Sequence, residues 1–314
     1  MKTVLGLVVC AVALATLPVV GGNYVLSMSI TFLMYGVLAL SWNMIGGFAG
    51  YPSFGLAGFF GLGAYVGGIL LSRGLITFPL SPIAAAVVCF AVAFAVGTPI
   101  LRLRGHYFAV ASLAIGEVFR EIATNWTDLT GGGMGLSLPI LTSSPRSDLQ
   151  VVYAAMAVLA CVALAVTVAI SRSKLGVGLR CIRQNEQAAN LIGINVTLLK
   201  VIAFALSAAF AGAAGAVYAS WVTYIDPGDV FGILRSIEAP IMVLIGGFGT
   251  TAGPLVGAAI YFVFRETASD LLLNLQTGAL GLIIVALIVF APEGVLSAPR
   301  FKPLWRLVAM KPRA

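Results

Sequence analysis

The sequence predicts an all-α, polytopic integral membrane protein with about eight to ten transmembrane helices. Hydrophobic residues make up 60% of the 314 residues and charged residues only 9%, mean hydropathy is +1.06, and apolar runs of spanning length recur along the chain. A soluble domain carries charge on about a quarter of its residues, and one span requires roughly 20 apolar residues. No soluble catalytic domain fits beside so many spans, and residues 1–314 read as one transmembrane domain.

Apolar runs place candidate spans at 4–20, 24–45, 55–72, 80–101, 106–124, 151–170, 200–222, 236–249, 252–268 and 276–291. Lys2 followed by an apolar run imitates a signal peptide, but no small-residue cleavage site precedes the next run at Tyr24, so the segment reads as a retained helix. Alternation from a cytoplasmic start puts Lys2, Arg102, Arg104, the cations of 171–200 and the C-terminal cations from Arg300 to Arg313 inside. Arg73, Arg146, Arg235 and Arg265 fall outside. This asymmetry obeys the positive-inside rule, explains the net charge of +7 without a nucleic-acid partner, and predicts that both termini are cytoplasmic. The spans 236–249 and 252–268 are short and joined by a Thr-Thr-Ala-Gly turn. Either both cross, or they form a re-entrant hairpin.

The segment 171–200 is a polar, basic island between two oily stretches. It carries Arg172, Lys174, Arg180, Arg183 and Lys200 against one acid, Glu186. On a helical wheel Arg180, Arg183, Gln184, Gln187 and Asn190 share one stripe, and Leu179, Ile182, Ala189 and Ile192 another, which predicts a short amphipathic helix beside the membrane. A solvated loop and a docking helix for a cytosolic partner are both compatible with that pattern.

Ile-Gly-Gly-Phe occurs twice, at 45–48 and 245–248, each time followed by further glycine and a proline, Pro52 and Pro254. Glycine clusters and proline interrupt membrane helices, and paired interruptions often mark a permeation path; close packing through small residues is the plainer explanation. The threading makes both elements approach the same side, unlike a simple inverted repeat. In the fifth span Ser112, Gly116, Glu117, Arg120, Glu121, Thr124 and Asp128 form one stripe, with Glu117 and Arg120 spaced to neutralise each other. A charge at mid-bilayer costs roughly 2.5–3.5 kcal/mol on insertion scales, so this stripe is expected to face the bundle interior or a wet cavity.

Chemistry within the chain has little support. Cys10, Cys89, Cys161 and Cys181 are scattered singly, and His106 is the one histidine, so neither a disulfide framework nor a metal site is indicated. An intramembrane hydrolase would need a buried nucleophile and base, and no P-loop is present. A secondary transporter would have only the Glu117 and Glu121 stripe to bind protons or sodium.

Four blocks, in order, carry a resemblance: RLRGHYFAVASLAIGEVFREIATNWTDLTGGGMGL (102–136), GLRCIRQNEQAANLIGINVTLLKVIAFALSAAFAGAAGAVYA (178–219), IGGFGTTAGPLVGA (245–258) and APEGV (291–295). They resemble LivM-type permeases of high-affinity branched-chain amino-acid ABC importers. The resemblance implies an ABC-importer permease fold in the bacterial inner membrane. It implies no cofactor in this chain, with ATP and Mg on two separate cytosolic ATPase subunits. A second, homologous permease subunit and an external solute-binding protein are the other implied partners. Glu186, Ala188, Ala189 and Gly193 look like a degenerate EAA-x-x-x-G coupling motif. With Arg180, they and Arg183 and Asn185 form the expected ATPase-coupling set, of which Arg183, Asn185 and Glu186 are the foremost interface residues. Tyr51, Ser53, Glu117, Arg120 and the turn Thr130, Gly131, Gly132 and Gly133 are path candidates. One block departs from the family: many relatives read like GQLSLGHAAFFGIGAY where this chain has GYPSFGLAGFFGLGAY, with Pro52, Phe54, Leu56 and Ala57. That departure leaves urea, short amides and aromatic acids beside apolar amino acids as substrates.

Overall fold

The computed structural model describes residues 22–103, 105–142 and 144–271. The candidate spans 4–20 and 276–291, the C-terminal cations, Cys10, Arg104, the APEGV block and both termini lie outside the described residues. The helices are α1 (Asn23–Trp42), α2 (Leu56–Ser72), α3 (Ser81–Ile100), α4 (His106–Asn125), the single turn α5 (Thr127–Thr130), α6 (Pro145–Arg172), α7 (Lys174–Gln184), α8 (Glu186–Leu191), α9 (Val196–Val222), the single turn α10 (Pro227–Val230), α11 (Ile233–Gly246) and α12 (Gly253–Leu271). Two-residue strands β1 (Leu136–Ser137) and β2 (Tyr224–Ile225) pair antiparallel with Leu136 opposite Ile225. Asn23–Gly47, Phe78–Ile100, Pro145–Arg172 and Val196–Val222 are each long and apolar enough to cross a membrane.

Helix α9 is the axis of the bundle and packs chiefly on α2 and α3. Its AGAAGA stretch explains why. A Cβ on Gly63 of α2 would lie 2.1 Å from the Gly212 carbonyl oxygen, one on Gly215 would lie 2.0 Å from the Phe60 oxygen, and one on Gly212 would lie 2.3 Å from Cys89 Sγ of α3. Small residues let backbones touch where burial from water supplies no drive, because lipid is as apolar as leucine. The outer faces of α3 and α6 stay apolar and exposed, with Ile83, Val87, Val158 and Val162 among them, as a lipid-facing surface requires.

Loops gather at two ends. One holds Gly47–Gly55, Leu101, α7, α8 and the turn after α11; here this is the island end. The opposite end holds the β pair, α10 and the contact of Tyr24 with Glu266, whose Oε1 accepts from the tyrosine hydroxyl at 3.3 Å. The α11–α12 hairpin joins the two ends. It starts where Arg235 meets Asp229 at 2.9 Å, turns beside Asn43, and returns to Glu266. At 1.5 Å per residue the 14 residues of α11 extend about 21 Å.

The two Ile-Gly-Gly-Phe elements behave differently from a plain break. At 45–48 the helix does not stop: Asn43–Gly47 widens into a π turn, and the chain leaves the helix at Gly50, whose φ of 75° suits glycine. At 245–248 α11 ends at Gly246, with Gly247 at φ 119°. Both lie at the island end, side by side.

Gly63→Val should lower stability by about 1–3 kcal/mol, because the added side chain meets fixed backbone. Thermal unfolding of the detergent-solubilised protein measures this. Gly133→Ala, where the nearest atom to a new Cβ is 4.0 Å away, serves as the unperturbed comparison.

Candidate functional site

The island is built by three asparagine and serine caps. Ser173 ends α6 and caps α7, its Oγ accepting from the Gly176 amide at 3.4 Å. Asn185 adopts an extended conformation, and its Oδ1 accepts from the amides of Gln187 and Ala188 at 3.0 and 3.1 Å, which starts α8. Asn195 caps α9 through the Leu198 amide at 3.1 Å. The expected single amphipathic helix is therefore two, because the Asn185 side chain offers the backbone a cap in place of a continued helix. Leu179, Ile182 and Ala189 are buried as the stripe predicts. Ile192 is not: the break at Asn185 resets the helical phase, and Ile192 is 71% exposed beside Leu191 at 88%.

Arg183 and Glu186 turn toward the body of the protein. Lys200, one turn into α9, is 2% exposed, and its Nζ donates to Glu186 Oε1 at 3.1 Å, to the Tyr51 hydroxyl at 3.0 Å and to the Leu101 carbonyl at 2.9 Å. Three acceptors satisfy the three donors of an ammonium. Tyr51 in turn donates its hydroxyl to Glu186 Oε2, and its ring lies 4.4 Å from Nζ. Phe108 and Phe204 wall the group, with Phe108 edge-on to Tyr51. One cation thus fastens α8, α9, the end of α3 and the segment preceding α2.

Beside it, Arg183 Nη1 donates to the Gly47 carbonyl at 2.9 Å, while its guanidinium lies 4.6 Å above the Phe248 ring. Gly47 belongs to the first Ile-Gly-Gly-Phe element and Phe248 to the second. Asn43 joins the same pair independently: its Oδ1 accepts from the Gly249 amide at 3.1 Å, and its Nδ2 donates to the Thr250 carbonyl at 2.9 Å. Space there is closed. A Cβ on Gly249 would stand 2.6 Å from Arg183 Nη1, and one on Gly50 2.9 Å from Arg183 Cγ.

The remaining candidates divide by place. Arg180 binds the Ser171 and Gly176 carbonyls at 2.7 and 3.2 Å and so braces the α6–α7 corner. Ala188 is exposed, Ala189 is buried, and Gly193 has the positive φ of 85° that turns the chain toward α9. Ser53 is buried at the island end, where its carbonyl accepts from Trp42 Nε1 at 2.7 Å. The turn of Thr130, Gly131, Gly132 and Gly133 lies at the opposite end, where Thr130 Oγ1 donates to the Ala123 and Trp126 carbonyls at 2.6 Å. The path candidates therefore do not form one cluster.

The α4 stripe is divided between a buried and an exposed part. Ser112 is buried, and its Oγ accepts from the Phe54 amide at 2.9 Å. Glu117 and Arg120 do pair, at 2.7 Å, yet both side chains remain nearly half exposed, at 47% and 46%. The close approach of Gly116 to Gly58 turns the next residues outward, so the charges lie on this chain's surface rather than inside the described bundle. Sequence reasoning missed two members of the island-end site. By charge alone Lys200 is one more inside cation, yet a lysine followed by an unbroken apolar helix signals burial. Asn43, a lone amide in an apolar run, carried the same signal.

Lys200→Met should destabilise the protein by about 3 kcal/mol or more, because Glu186, only 20% exposed, loses its partner. Adding Glu186→Gln should restore part of that loss. A thermal-unfolding double-mutant cycle reads the coupling between them.

Comparison with known proteins places residues 24–292 in the family described as "Branched-chain amino acid transport system / permease component". The high-affinity branched-chain amino acid transport system permease protein LivM of Salmonella typhimurium is 29% identical over 295 residues, covering 85% of this chain and 69% of that protein. LivM of Escherichia coli strain K12 gives the same identity and coverage. The permease protein BraD of Pseudomonas aeruginosa is 27% identical, over 84% of this chain and 92% of its own. No solved structure matches. A multi-pass helical bundle, small-residue helix crossings and a family match over most of its length agree: this chain belongs to the branched-chain amino acid transport permease family.

Proposed function

We propose that this chain is one of two permease subunits of an ATP-driven importer that carries branched-chain or similar apolar amino acids into the cytoplasm. The observation that carries this reading is the two-sided character of α7 and α8. Outward, Gln187, Asn190, Leu191 and Ile192 offer a polar and apolar surface for a cytosolic ATPase. Inward, Arg183 and Glu186 hold Gly47, Phe248, Tyr51 and Lys200.

Under this reading the island end is cytoplasmic, both termini lie inside, and the membrane is the bacterial inner membrane. ATP and Mg act on two separate ATPase subunits. Their closure moves α8 as a rigid element, and the inward contacts pass that displacement to both glycine interruptions. Solute arrives from an external binding protein at the opposite end. The second permease subunit covers the Glu117, Arg120 and Glu121 face of α4, which would otherwise set charge against lipid.

ATP-dependent uptake of leucine, isoleucine and valine by the complete transporter in proteoliposomes tests the function; uptake that persists without the ATPase subunits would sink it. Leu191→Asp should weaken ATPase association about 10-fold or more, by placing a charge in an apolar contact, and co-purification measures that. Arg183→Ala should leave the ATPases bound and hydrolysing while uptake falls about 10-fold. Equal loss of hydrolysis and uptake would contradict a transmitting role.

A further inference from the structure

The last turn of α1 is held from outside the helix. Asn43–Gly47 is a π turn, the chain stays helical through Ala49, and Gly50 turns it out at φ 75°. Helices that end on such a glycine close in one of two ways. In the tighter ending the glycine amide bonds the carbonyl three residues back, and the next amide bonds the carbonyl five back. In the looser ending the glycine amide reaches four back.

Helix α1 takes the looser ending. The Gly50 amide donates to the Gly46 carbonyl at 3.1 Å, and the Tyr51 amide reaches the Ile45 carbonyl at 3.4 Å, long for a bond of this kind. Neither serves the Gly47 carbonyl, which is the Gly50 acceptor in the tighter ending. Its partner comes from α7: Arg183 Nη1 donates to it at 2.9 Å. Gly47 is buried, and a buried carbonyl left without a donor is costly, so the looser ending depends on that arginine.

The same turn is gripped a second time. Tyr51 donates its hydroxyl to Glu186 at the start of α8 and accepts from Lys200 at 3.0 Å. Arg183 and Glu186 lie on either side of Asn185, where α7 passes into α8. Both island helices therefore hold the stretch from Gly47 to Tyr51, one by its backbone and the other by a side chain.

We infer that Arg183 is a removable cap of α1, and that the turn from Gly47 to Tyr51 is a two-setting switch governed by α7. With Arg183 seated, the Gly47 carbonyl is satisfied and the looser ending persists. With α7 displaced, that carbonyl takes the Gly50 amide, and the Tyr51 amide moves from Ile45 to Gly46, each bond shifting one residue along the chain. The shift carries Tyr51, whose hydroxyl Glu186 and Lys200 hold. A small movement of α7 becomes a discrete change in α1, because the two endings differ in hydrogen-bond partners rather than by degree. Arg183 acts through the Gly47 carbonyl and is a positioning residue.

The inference rests on the ATP-driven importer reading for what moves α7, but not for the two endings themselves. Amide hydrogen exchange of the complete transporter, resolved to single residues by mass spectrometry, tests it. Tyr51 is the reporter, since its amide bond is long in the looser ending and of ordinary length in the tighter one. Arg183→Met keeps an aliphatic stem and removes the donor, and exchange at Tyr51 should slow about 5-fold. Arg183→Lys keeps a cationic donor and should retain the wild-type rate. Wild-type transporter trapped with MgATP and orthovanadate should show the same slowing as Arg183→Met, and it decides alone if that variant fails to assemble. A mere brace predicts the reverse, because losing Arg183 would fray the turn and speed exchange from Gly47 to Tyr51. Faster or unchanged exchange at Tyr51, in the assembled variant or in the trapped wild type, overturns the switch. A transporter that imports leucine and gives that result loses this inference alone. Slowing in Arg183→Met without any ATP-dependent uptake keeps the two endings while the importer reading falls.

Discussion

The arrangement of the island end depends on the burial of one ammonium group. Moving a charge out of water costs several kcal/mol unless every donor finds an acceptor. Lys200 meets that condition only when α8, the Tyr51 segment and the end of α3 are all in place. None of these elements can withdraw alone without stranding the charge. The short helix α8, which has too few residues to be stable by itself, is thereby held as part of the bundle.

The rest of the chain supplies a stiff frame for that group. Glycine and alanine bring α9 against α2 and α3 at backbone contact, so there is little side-chain padding to absorb a displacement. The same helix carries Lys200 near one end and, near the other, Tyr218, whose hydroxyl donates to Asp229.

Much of this was legible from composition and spacing, and the exceptions are instructive. Apolar length located every described membrane-crossing helix, and the distribution of cations paired the loops into two ends as the packing does. The two Ile-Gly-Gly-Phe elements were rightly placed on one side, but nothing local could show that they touch, since Asn43 and Gly249 are 206 residues apart. Helical periodicity failed at Asn185 because a wheel assumes continuity, and a cap is a local hydrogen bond that periodicity does not register. For Glu117 and Arg120 the spacing gives their pairing, while their exposure on this chain accompanies the contact of Gly116 with Gly58. The burial of Lys200 is not legible in the sequence: a cation at a helix end reads as a boundary marker until its partners Glu186, Tyr51 and Leu101 are known.

Asn43 also has a meaning for how the protein is made. Its amide is fully buried in the first described helix, yet the backbone groups it binds belong to the turn after α11. At a synthesis rate of about 5–20 residues per second, roughly 10–40 s pass before that turn leaves the ribosome. During this interval the Asn43 amide lacks its final partners, Gly249 and Thr250. Closure of the glycine pair therefore has to follow the synthesis of α11 and the turn after it.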